Sequence, residues 1–154
     1  EEGQGFIYAM RSLEHGRLGI AAQAIGIARA AFDAARAYAT ERKQFGTPIA
    51  EFQGVQFKLA DMAMRLTAAR ALLHATAAAK DRGVLVPGEV SMSKLYASEM
   101  AMYVTTQAIQ VFGGYGYVKE YPVEKYFRDA KVTEIYEGTS EVQRIIIGRE
   151  VTKV

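Results

Sequence analysis

Proline is the feature that most constrains this chain, because its 154 residues include only three prolines, at positions 48, 87 and 122. Proline interrupts helices and central strands alike, so the stretches between these positions can form long regular elements. Apolar residues recur three or four positions apart over about 5–40, 52–82 and 87–112. This spacing is typical of amphipathic helices, and no strand pattern of comparable strength interrupts it. The sequence therefore predicts three long helices.

Two shorter helices are predicted after the third proline. One covers residues 123–131, and the last begins near Ser140, which has capping-box spacing with Gln143. The buried face of this last helix is expected to consist of Val142, Ile145 and Ile146. The predicted fold is all-α, a four-helix up-and-down bundle with an additional short helix, formed by residues 1–154 as one domain.

The composition excludes several classes of function. With 19 Lys and Arg against 17 Asp and Glu, the net charge of +2 gives no reason to expect a nucleic-acid partner. The chain has no cysteine, so disulfides and thiolate chemistry are excluded. Its two histidines, His15 and His74, lack the spacing of metal ligands, and no metal site is predicted. No uninterrupted apolar run approaches the ~20 residues of a membrane span, so none is predicted.

Three polar motifs are candidates for chemistry, and each has a purely structural alternative. In TEIYEGTSEVQ, residues 133–143, Glu137 lies on a glycine turn before a helix, where it is either a surface carboxylate or a general base. The motif ERKQFGTPI, residues 41–49, is either a charged helix end or a phosphate contact made by its arginine. The motif AIQVFGGYGY, residues 108–117, either ends a helix or turns backbone N–H groups toward an anion.

These stretches, with GRLGIAAQAIGIARAAF before them, occur in an order that closely resembles the C-terminal domain of the acyl-CoA dehydrogenases, especially the short-chain (butyryl-CoA) branch. The resemblance extends from about residue 5 to 151. It implies a three-domain flavoenzyme and marks residues 1–5 as the tail of a middle β domain. The start EEGQGF lacks a methionine and is expected to lie inside a longer chain.

The resemblance also implies a reaction, the α,β-dehydrogenation of an acyl-CoA thioester. The base in the YEGT motif is Glu137, which removes the α-proton while hydride passes to flavin N5. Some family members carry the base on the first long helix, where this chain has Gly16. The backbone N–H of Glu137 would polarise the thioester carbonyl. The residues implied to contact the substrate are Arg17, Tyr136, Gly138 and Arg149.

FAD is the implied cofactor, and its implied contacts fall into three groups. The first group, at or beside the pyrophosphate and adenine of FAD, consists of Arg42, Gln44, Phe45, Phe52 and Gln53. Those with its adenosine diphosphate part across a dimer interface are Gln110, Gly113 and Gly114. Those after the catalytic turn are Thr139 and Glu141. The family often has glutamine in place of Glu141, so that contact departs from the usual pattern.

A shared FAD implies a homo-oligomer, a dimer of dimers, and the implied electron acceptor is electron-transferring flavoprotein. The Ala- and Arg-rich composition favours a bacterial cytoplasm over a mitochondrial matrix. Two alternatives stay open. One is an acyl-CoA oxidase of the same superfamily, in which O₂ reoxidises the flavin. The other is an oligomerisation and FAD-bridging module without activity of its own.

Overall fold

The fold consists of five α-helices and a small two-stranded hairpin, in a computed structural model that describes residues 2–84 and 87–152. The helices are α1 (Gly5–Glu41), α2 (Gln53–Asp81), α3 (Pro87–Phe112), α4 (Val123–Thr133) and α5 (Ser140–Val151). The strands are β1 (Lys43–Gln44) and β2 (Thr47–Pro48), and 3₁₀ turns cover Ile49–Glu51 and Gly113–Tyr117. The predicted all-α bundle is confirmed, and the three long helices begin and end within one residue of their predicted bounds.

A stripe of alanines on α1 forms the centre of the core. Six wholly buried alanines recur in steps of three and four along one face, at Ala21, Ala24, Ala28, Ala31, Ala35 and Ala39. The main partner of α1 is α3, whose buried face includes Ala97, Ala101, Val104 and Ala108. Because methyl groups occupy little volume, the two helix backbones can approach closely. The core therefore depends on helix proximity more than on large side chains.

The same alanines give α1 the composition of a possible membrane span. The segment Gly16–Glu41 is long and apolar enough by length and composition, with a mean hydropathy of 1.2, although no uninterrupted apolar run of this length occurs in it. The buried core helix of a helical bundle can have the same length and apolar composition. Since the alanine stripe of α1 is buried against α3, its composition is explained by the core, and it gives only weak evidence for a span.

Helix α2 closes the bundle against α1 and α3. Its packed face is the predicted seam, which consists of Val55, Leu59, Met62, Leu66, Ala69 and Leu73. On another face Phe57 and Met64 are 61% and 62% exposed. The described part of the chain therefore leaves apolar surface open on α2.

An aromatic cluster joins the C-terminal ends of α1 and α3. Tyr38 stacks on Phe112 with ring centroids 4.1 Å apart, and Tyr121 meets both rings edge-on. Tyr115 lies against Tyr121, with centroids 5.6 Å apart. These contacts fix the turn Gly113–Tyr117 relative to the end of α1.

The hairpin of β1 and β2 is a feature that the sequence pattern does not predict. Gln44 pairs with Thr47, so Phe45 and Gly46 form a two-residue turn between the strands. Their φ angles are +53° and +81°, and positive φ at both central positions is the requirement of a type I′ turn. Asn-Gly or Asp-Gly is the usual sequence for such a turn, and Phe45 gives no such signal.

The last helix departs from the prediction in its cap and in its buried face. Thr139, not Ser140, is the N-cap, and its hydroxyl accepts a hydrogen bond from the N–H of Val142 at 3.5 Å. The buried side chains are Ser140 and Gln143, while Val142 and Ile145 are 41% and 52% exposed. The predicted face was wrong because α5 turns its polar side inward, where Gln143 finds backbone carbonyls to bind.

Candidate active site

The loop between α4 and α5 holds Glu137 in a left-handed backbone conformation. Its φ is +54°, and that of Gly138 is +90°. A non-glycine residue in this region is uncommon and costs about 1–2 kcal/mol, so the surrounding structure must hold it there. We call Glu137 and Gly138 together the Glu137 turn. A hydrogen bond of 3.0 Å from the N–H of Ser140 to the carbonyl of Glu134 closes the loop around this turn.

Two wholly buried side chains bind the carbonyls of the Glu137 turn. Lys94 of α3 donates from Nζ to the carbonyl oxygen of Gly138 at 2.8 Å. Gln143 of α5 donates from Nε2 to the carbonyls of Glu137 and Gly138 at 3.1 and 3.0 Å. A Cβ on Gly138 would lie 2.6 Å from that same Nε2, so glycine is required there. The turn is therefore fixed by donors from two different helices.

The side chain of Glu137 lies against Gly16 of α1. A Cβ at position 16 would come within 2.7 Å of Oε2 and 2.9 Å of Oε1 of Glu137. Any side chain there would collide with the carboxylate unless the carboxylate moved. Oε2 is buried and has no hydrogen-bond partner among the described residues, which leaves its lone pairs free. Gly16 therefore forms the surface on which the Glu137 carboxylate lies.

Two buried cations belong to this region, since Lys94 binds the Glu137 turn and Arg17 follows Gly16 on α1. Arg17 is 3% exposed, and its Nε has no partner among the described residues. Burial lowers the pKa of Lys94, and the charge of Arg17 acts in the same direction. Glu134, Glu137 and Glu141 oppose this effect and raise the pKa of Lys94. The structure thus brings the predicted Arg17 and Glu137 into one electrostatic group.

Tyr136 precedes the carboxylate and is tied to α1. Its hydroxyl donates to Oε1 of Gln23 at 2.6 Å. Burial raises the pKa of Tyr136, and the hydrogen bond to Gln23 partly offsets this effect. The predicted substrate residues Tyr136 and Gly138 therefore flank Glu137 in a defined arrangement.

Arg149, also predicted to contact the substrate, lies away from the turn. It is exposed on α5, nine positions beyond Ser140, which is a distance of about 14 Å along the helix. Among the described residues, no ion pair joins its guanidinium to the carboxylate of Glu137.

Away from the Glu137 turn, a cavity of 490 Å³ lies where the ends of α1 and α3 meet the hairpin. It brings together Arg42, Gln44, Gly113 and Gly114, four of the residues predicted to bind the cofactor. The guanidinium carbon of Arg42 lies 5.5 Å from the ring centroid of Tyr115, within cation–π range. Gly113 has a φ of +62°, and a Cβ on either glycine would meet nothing within 4 Å. An exposed guanidinium beside open backbone suits a phosphate group.

Other residues predicted to bind the cofactor lie outside this cavity. Phe45 is 97% exposed at the tip of the hairpin, and its ring meets that of Phe52 edge-on at 6.4 Å. Gln53 is exposed at the start of α2. Gln110 lies in a separate groove of 790 Å³ beside Tyr117. These side chains are accessible to a neighbouring molecule, because they are exposed in the described part of the chain.

The predicted cofactor residues Thr139 and Glu141 line a small polar pocket of 230 Å³ at the start of α5. Lys131 and Arg144 line it too, so its charge is mixed. Hydrogen bonds from the backbone N–H of Glu141 and from the Thr139 hydroxyl lower the pKa of Glu141. Within residues 2–84 and 87–152, no group of three or more side chains is arranged to hold a metal ion.

Three candidates for function, Lys94, Gln143 and Gln23, were missed from the sequence. Lys94 offers a signal, because it continues the spacing of three and four that links the buried Ser91 and Ser98. A lysine on a buried helical face must find a partner, and that rule alone would have singled it out. The capping-box spacing of Gln143 does not indicate its hydrogen bonds to the Glu137 turn. Nothing in the sequence around Gln23 indicates its contact with Tyr136.

Known proteins are similar to this chain over nearly its whole length. The profile of the family "Acyl-CoA dehydrogenase, C-terminal domain" matches residues 3–152. The short-chain specific acyl-CoA dehydrogenase of Clostridium acetobutylicum is 52% identical over 151 residues, which are 98% of this chain and 40% of that protein. The mitochondrial short-chain specific acyl-CoA dehydrogenase of Bos taurus is 52% identical over 153 residues, which are 99% of this chain and 37% of that protein.

Among solved structures, butyryl-CoA dehydrogenase of Megasphaera elsdenii matches with a TM-score of 0.97 and 50% sequence identity. The match covers 99% of this chain and 40% of that one. The chain therefore spans about two-fifths of the length of the curated relatives that it matches. Over that span it has the sequence and the helical fold of their C-terminal domain, and it belongs to the acyl-CoA dehydrogenase family.

Proposed function

We propose that this chain is the part of a flavin-dependent acyl-CoA dehydrogenase that provides the base for α,β-dehydrogenation of short-chain acyl-CoA thioesters. The observation that carries the proposal is the carboxylate of Glu137, held on a left-handed turn against Gly16 with one buried oxygen unpaired among the described residues. Relatives named as short-chain specific support the substrate class. Since those relatives are much longer, the complete active site is expected to include residues outside this chain.

In the proposed reaction, Glu137 takes the α-proton of the thioester. Oε2 has no donor among the described residues, so it can accept the proton without first losing a hydrogen bond. The Glu137 turn and the contact with Gly16 hold the carboxylate in one place, so little reorganisation has to precede the transfer. A positioned base of this kind contributes about 10²–10⁴-fold to a rate.

The backbone N–H of Glu137 is the proposed donor to the thioester carbonyl. It makes no backbone hydrogen bond within the described residues. A donor aimed at this oxygen stabilises the negative charge that develops there as the α-proton leaves. Tyr136 and Gly138 are proposed to flank the thioester, and the exposed Arg149 to contact the CoA part. Arg17 is 3% exposed and can reach a ligand only through the few atoms that stay accessible.

FAD is the proposed cofactor, and the cavity at the end of α1 fits its phosphates. Arg42 has no ion-pair partner among the described residues, so its guanidinium is available to an anion. Gly113 and Gly114 present open backbone in the same cavity, and Gln44 adds an amide. When bound, FAD supplies the acceptor for the two electrons of the dehydrogenation.

A homotetramer, arranged as a dimer of dimers, is the proposed assembly. The open positions of Phe45 and Gln110 support it, because exposed cofactor residues can meet FAD bound by another copy. Phe57 and Met64 add exposed apolar surface on α2 of the kind that a second copy covers. The remaining residues proposed to contact FAD are Phe52, Gln53, Thr139 and Glu141.

Electron-transferring flavoprotein is the proposed electron acceptor, and fatty acid β-oxidation is the proposed process. A bacterial cytoplasm is the proposed location. Similar proteins come from a bacterium and from a mitochondrion, which is compatible with either compartment. The composition, rich in alanine and arginine, is the feature that favours the bacterial one.

The test uses the full-length protein purified with its flavin. Butyryl-CoA should support reduction of an artificial acceptor such as ferrocenium, at a rate that falls as the acyl chain lengthens. Formation of hydrogen peroxide from O₂ at a comparable rate would identify an acyl-CoA oxidase instead. An absence of turnover with every acyl-CoA tried would contradict the proposed function.

An oligomerisation and FAD-bridging module is the second candidate function. It is favoured by the exposed apolar residues of α2 and by the length of the chain, which is about two-fifths of that of its relatives. Residues 1–154 alone, mixed with FAD and butyryl-CoA, distinguish the two candidates. Self-association with bound FAD but without ferrocenium reduction supports the module for this chain by itself.

A further inference from the structure

We propose that Lys94 and Gln143 are positioning residues that hold the Glu137 turn in its reactive conformation. This inference rests on the proposed role of Glu137 as the base. Neither side chain is among the residues proposed above to touch substrate or cofactor, so both act through the Glu137 turn.

The geometry shows why this turn needs to be held. It contains two consecutive left-handed residues, and only Gly138 is a glycine. A left-handed conformation is unfavourable for a residue with a side chain, so Glu137 would gain free energy by relaxing to an ordinary one. Such a change rotates the adjacent peptide groups and breaks the three hydrogen bonds of 2.8, 3.1 and 3.0 Å from Lys94 and Gln143. The two donors therefore oppose the relaxation directly.

Burial makes these hydrogen bonds consequential. Lys94 and Gln143 are both 0% exposed, which is rare for lysine. The Gly138 carbonyl accepts from both side chains, whereas Gln143 alone donates to the Glu137 carbonyl among the described hydrogen bonds. A buried carbonyl without a donor is costly, so Gln143 is the more important of the two for the Glu137 carbonyl. No carboxylate among the described residues lies within ion-pair distance of Lys94. Its ammonium is instead directed to the Gly138 carbonyl, at a distance typical of a charge-assisted bond.

The charges around Lys94 come from each neighbouring element: Arg17 on α1, Glu134 at the end of α4, Glu137 in the turn and Glu141 on α5. Burial lowers the pKa of Lys94, and the three carboxylates raise it. The Lys94 side chain therefore lies among charges of both signs, and its hydrogen bond ties it to the Gly138 carbonyl.

The test compares four single variants of the full-length flavoprotein. Lys94→Met keeps an unbranched, slightly shorter side chain and removes both the donor and the charge, whereas Gln143→Met removes donors but no charge. Lys58→Met is the matched control, because Lys58 donates to Oε1 of Gln107 at 2.9 Å, about 20 Å along α3 from Lys94. Glu137→Gln reports separately on the base.

The expected results separate positioning from substrate binding. With butyryl-CoA as substrate, kcat falls at least about tenfold in Lys94→Met and Gln143→Met, and KM changes less than kcat. Lys58→Met behaves like the parent in both kcat and KM.

A Lys94→Met protein with parental kcat overturns the proposal. So does a fall in kcat that is explained by lost flavin or a lower Tm. If Lys94→Met does not fold, Gln143→Met decides, since parental kcat in that variant is incompatible with positioning. Failure of both variants to fold assigns the pair to folding alone and also overturns it. Activity in Glu137→Gln would contradict the proposed function instead.

Discussion

Gly16 and Glu137 show how two residues distant in sequence depend on each other. The carboxylate of Glu137 fills the space that a side chain at position 16 would need, with contacts of 2.7–2.9 Å to an added Cβ. A glutamate at position 16 would therefore place its side chain where the Glu137 carboxylate now lies. The geometry favours one base or the other, and glycine at 16 is consistent with a base at 137.

Gly16→Ala is expected to displace the carboxylate and lower kcat at least about tenfold in the full-length enzyme, because small shifts of a reacting group are costly. Gly26→Ala is the matched control, since Gly26 is exposed on the same helix and an added Cβ meets nothing within 4 Å. It should keep parental kcat and gain up to about 1 kcal/mol of stability from helix propensity. Parental kcat in Gly16→Ala would show that the contact does not position the base.

At this scale the sequence identifies Glu137 but not its surroundings. A carboxylate on a glycine turn before a capped helix is a local pattern, so it can be recognised within a few residues. The contacts that hold it come from Gly16, Lys94 and Gln143, which lie on three different helices. Such contacts depend on how the helices pack, and spacing along one element does not encode them.

At the scale of elements, the alanine stripe of α1 sets the distance between α1 and α3. Its six alanines are wholly buried, so no volume is left between the two helices for larger side chains. Both walls of the candidate active site, Gly16 on α1 and Lys94 on α3, are carried by these helices. The packing of alanines therefore contributes to the position of Glu137.

Ala28→Leu is expected to destabilise the protein by about 1–3 kcal/mol, because added methylenes in a closely packed core force the helices apart. Ala37→Leu is the control on the same helix, since Ala37 is exposed beside the charged Arg36. It should change stability by less than about 0.5 kcal/mol. The two thermal unfolding midpoints provide the measurement, and equal midpoints would mean that the α1–α3 interface can expand.

The elements themselves were largely predictable, with two informative exceptions. Periodicity and proline positions suffice for the long helices, because apolar residues recur three or four positions apart over many turns between the prolines. The hairpin was missed because Phe45 is an unusual residue for a left-handed turn position. The buried face of α5 was assigned to the wrong side, since Gln143 is polar yet buried by its bonds to the Glu137 turn.

At the scale of the whole molecule, the chain carries two separate candidate sites. Glu137 lies in the loop between α4 and α5, and the cavity around Arg42 lies at the far end of α1 from Gly16. The 25 positions between Gly16 and Glu41 correspond to about 38 Å of helix. A cofactor held at Arg42 therefore belongs to a different region from the base, as expected if copies share their cofactors.

Arg42→Ala is expected to weaken FAD binding in the full-length protein about tenfold or more, because a hydrogen bond to a charged group contributes about 1.5–3 kcal/mol. The ratio of flavin to protein after gel filtration measures this. Arg36→Ala is the control, because Arg36 is an exposed arginine about one and a half turns before Arg42, near the end of α1, and its guanidinium lies 3.8 Å from Asp33. Unchanged flavin content and tetramer yield in Arg42→Ala would remove this residue from the proposed cofactor site.

The most direct test of the central claim is the kcat of Glu137→Gln in the full-length enzyme. Glutamine keeps the shape of the side chain and cannot accept the α-proton, so kcat for butyryl-CoA should fall by about 10²–10⁴-fold. Flavin content and thermal midpoint should stay at parental values, since the Glu137 turn is held through its backbone carbonyls. A variant that retained more than a few per cent of the parental kcat would show that another group is the base.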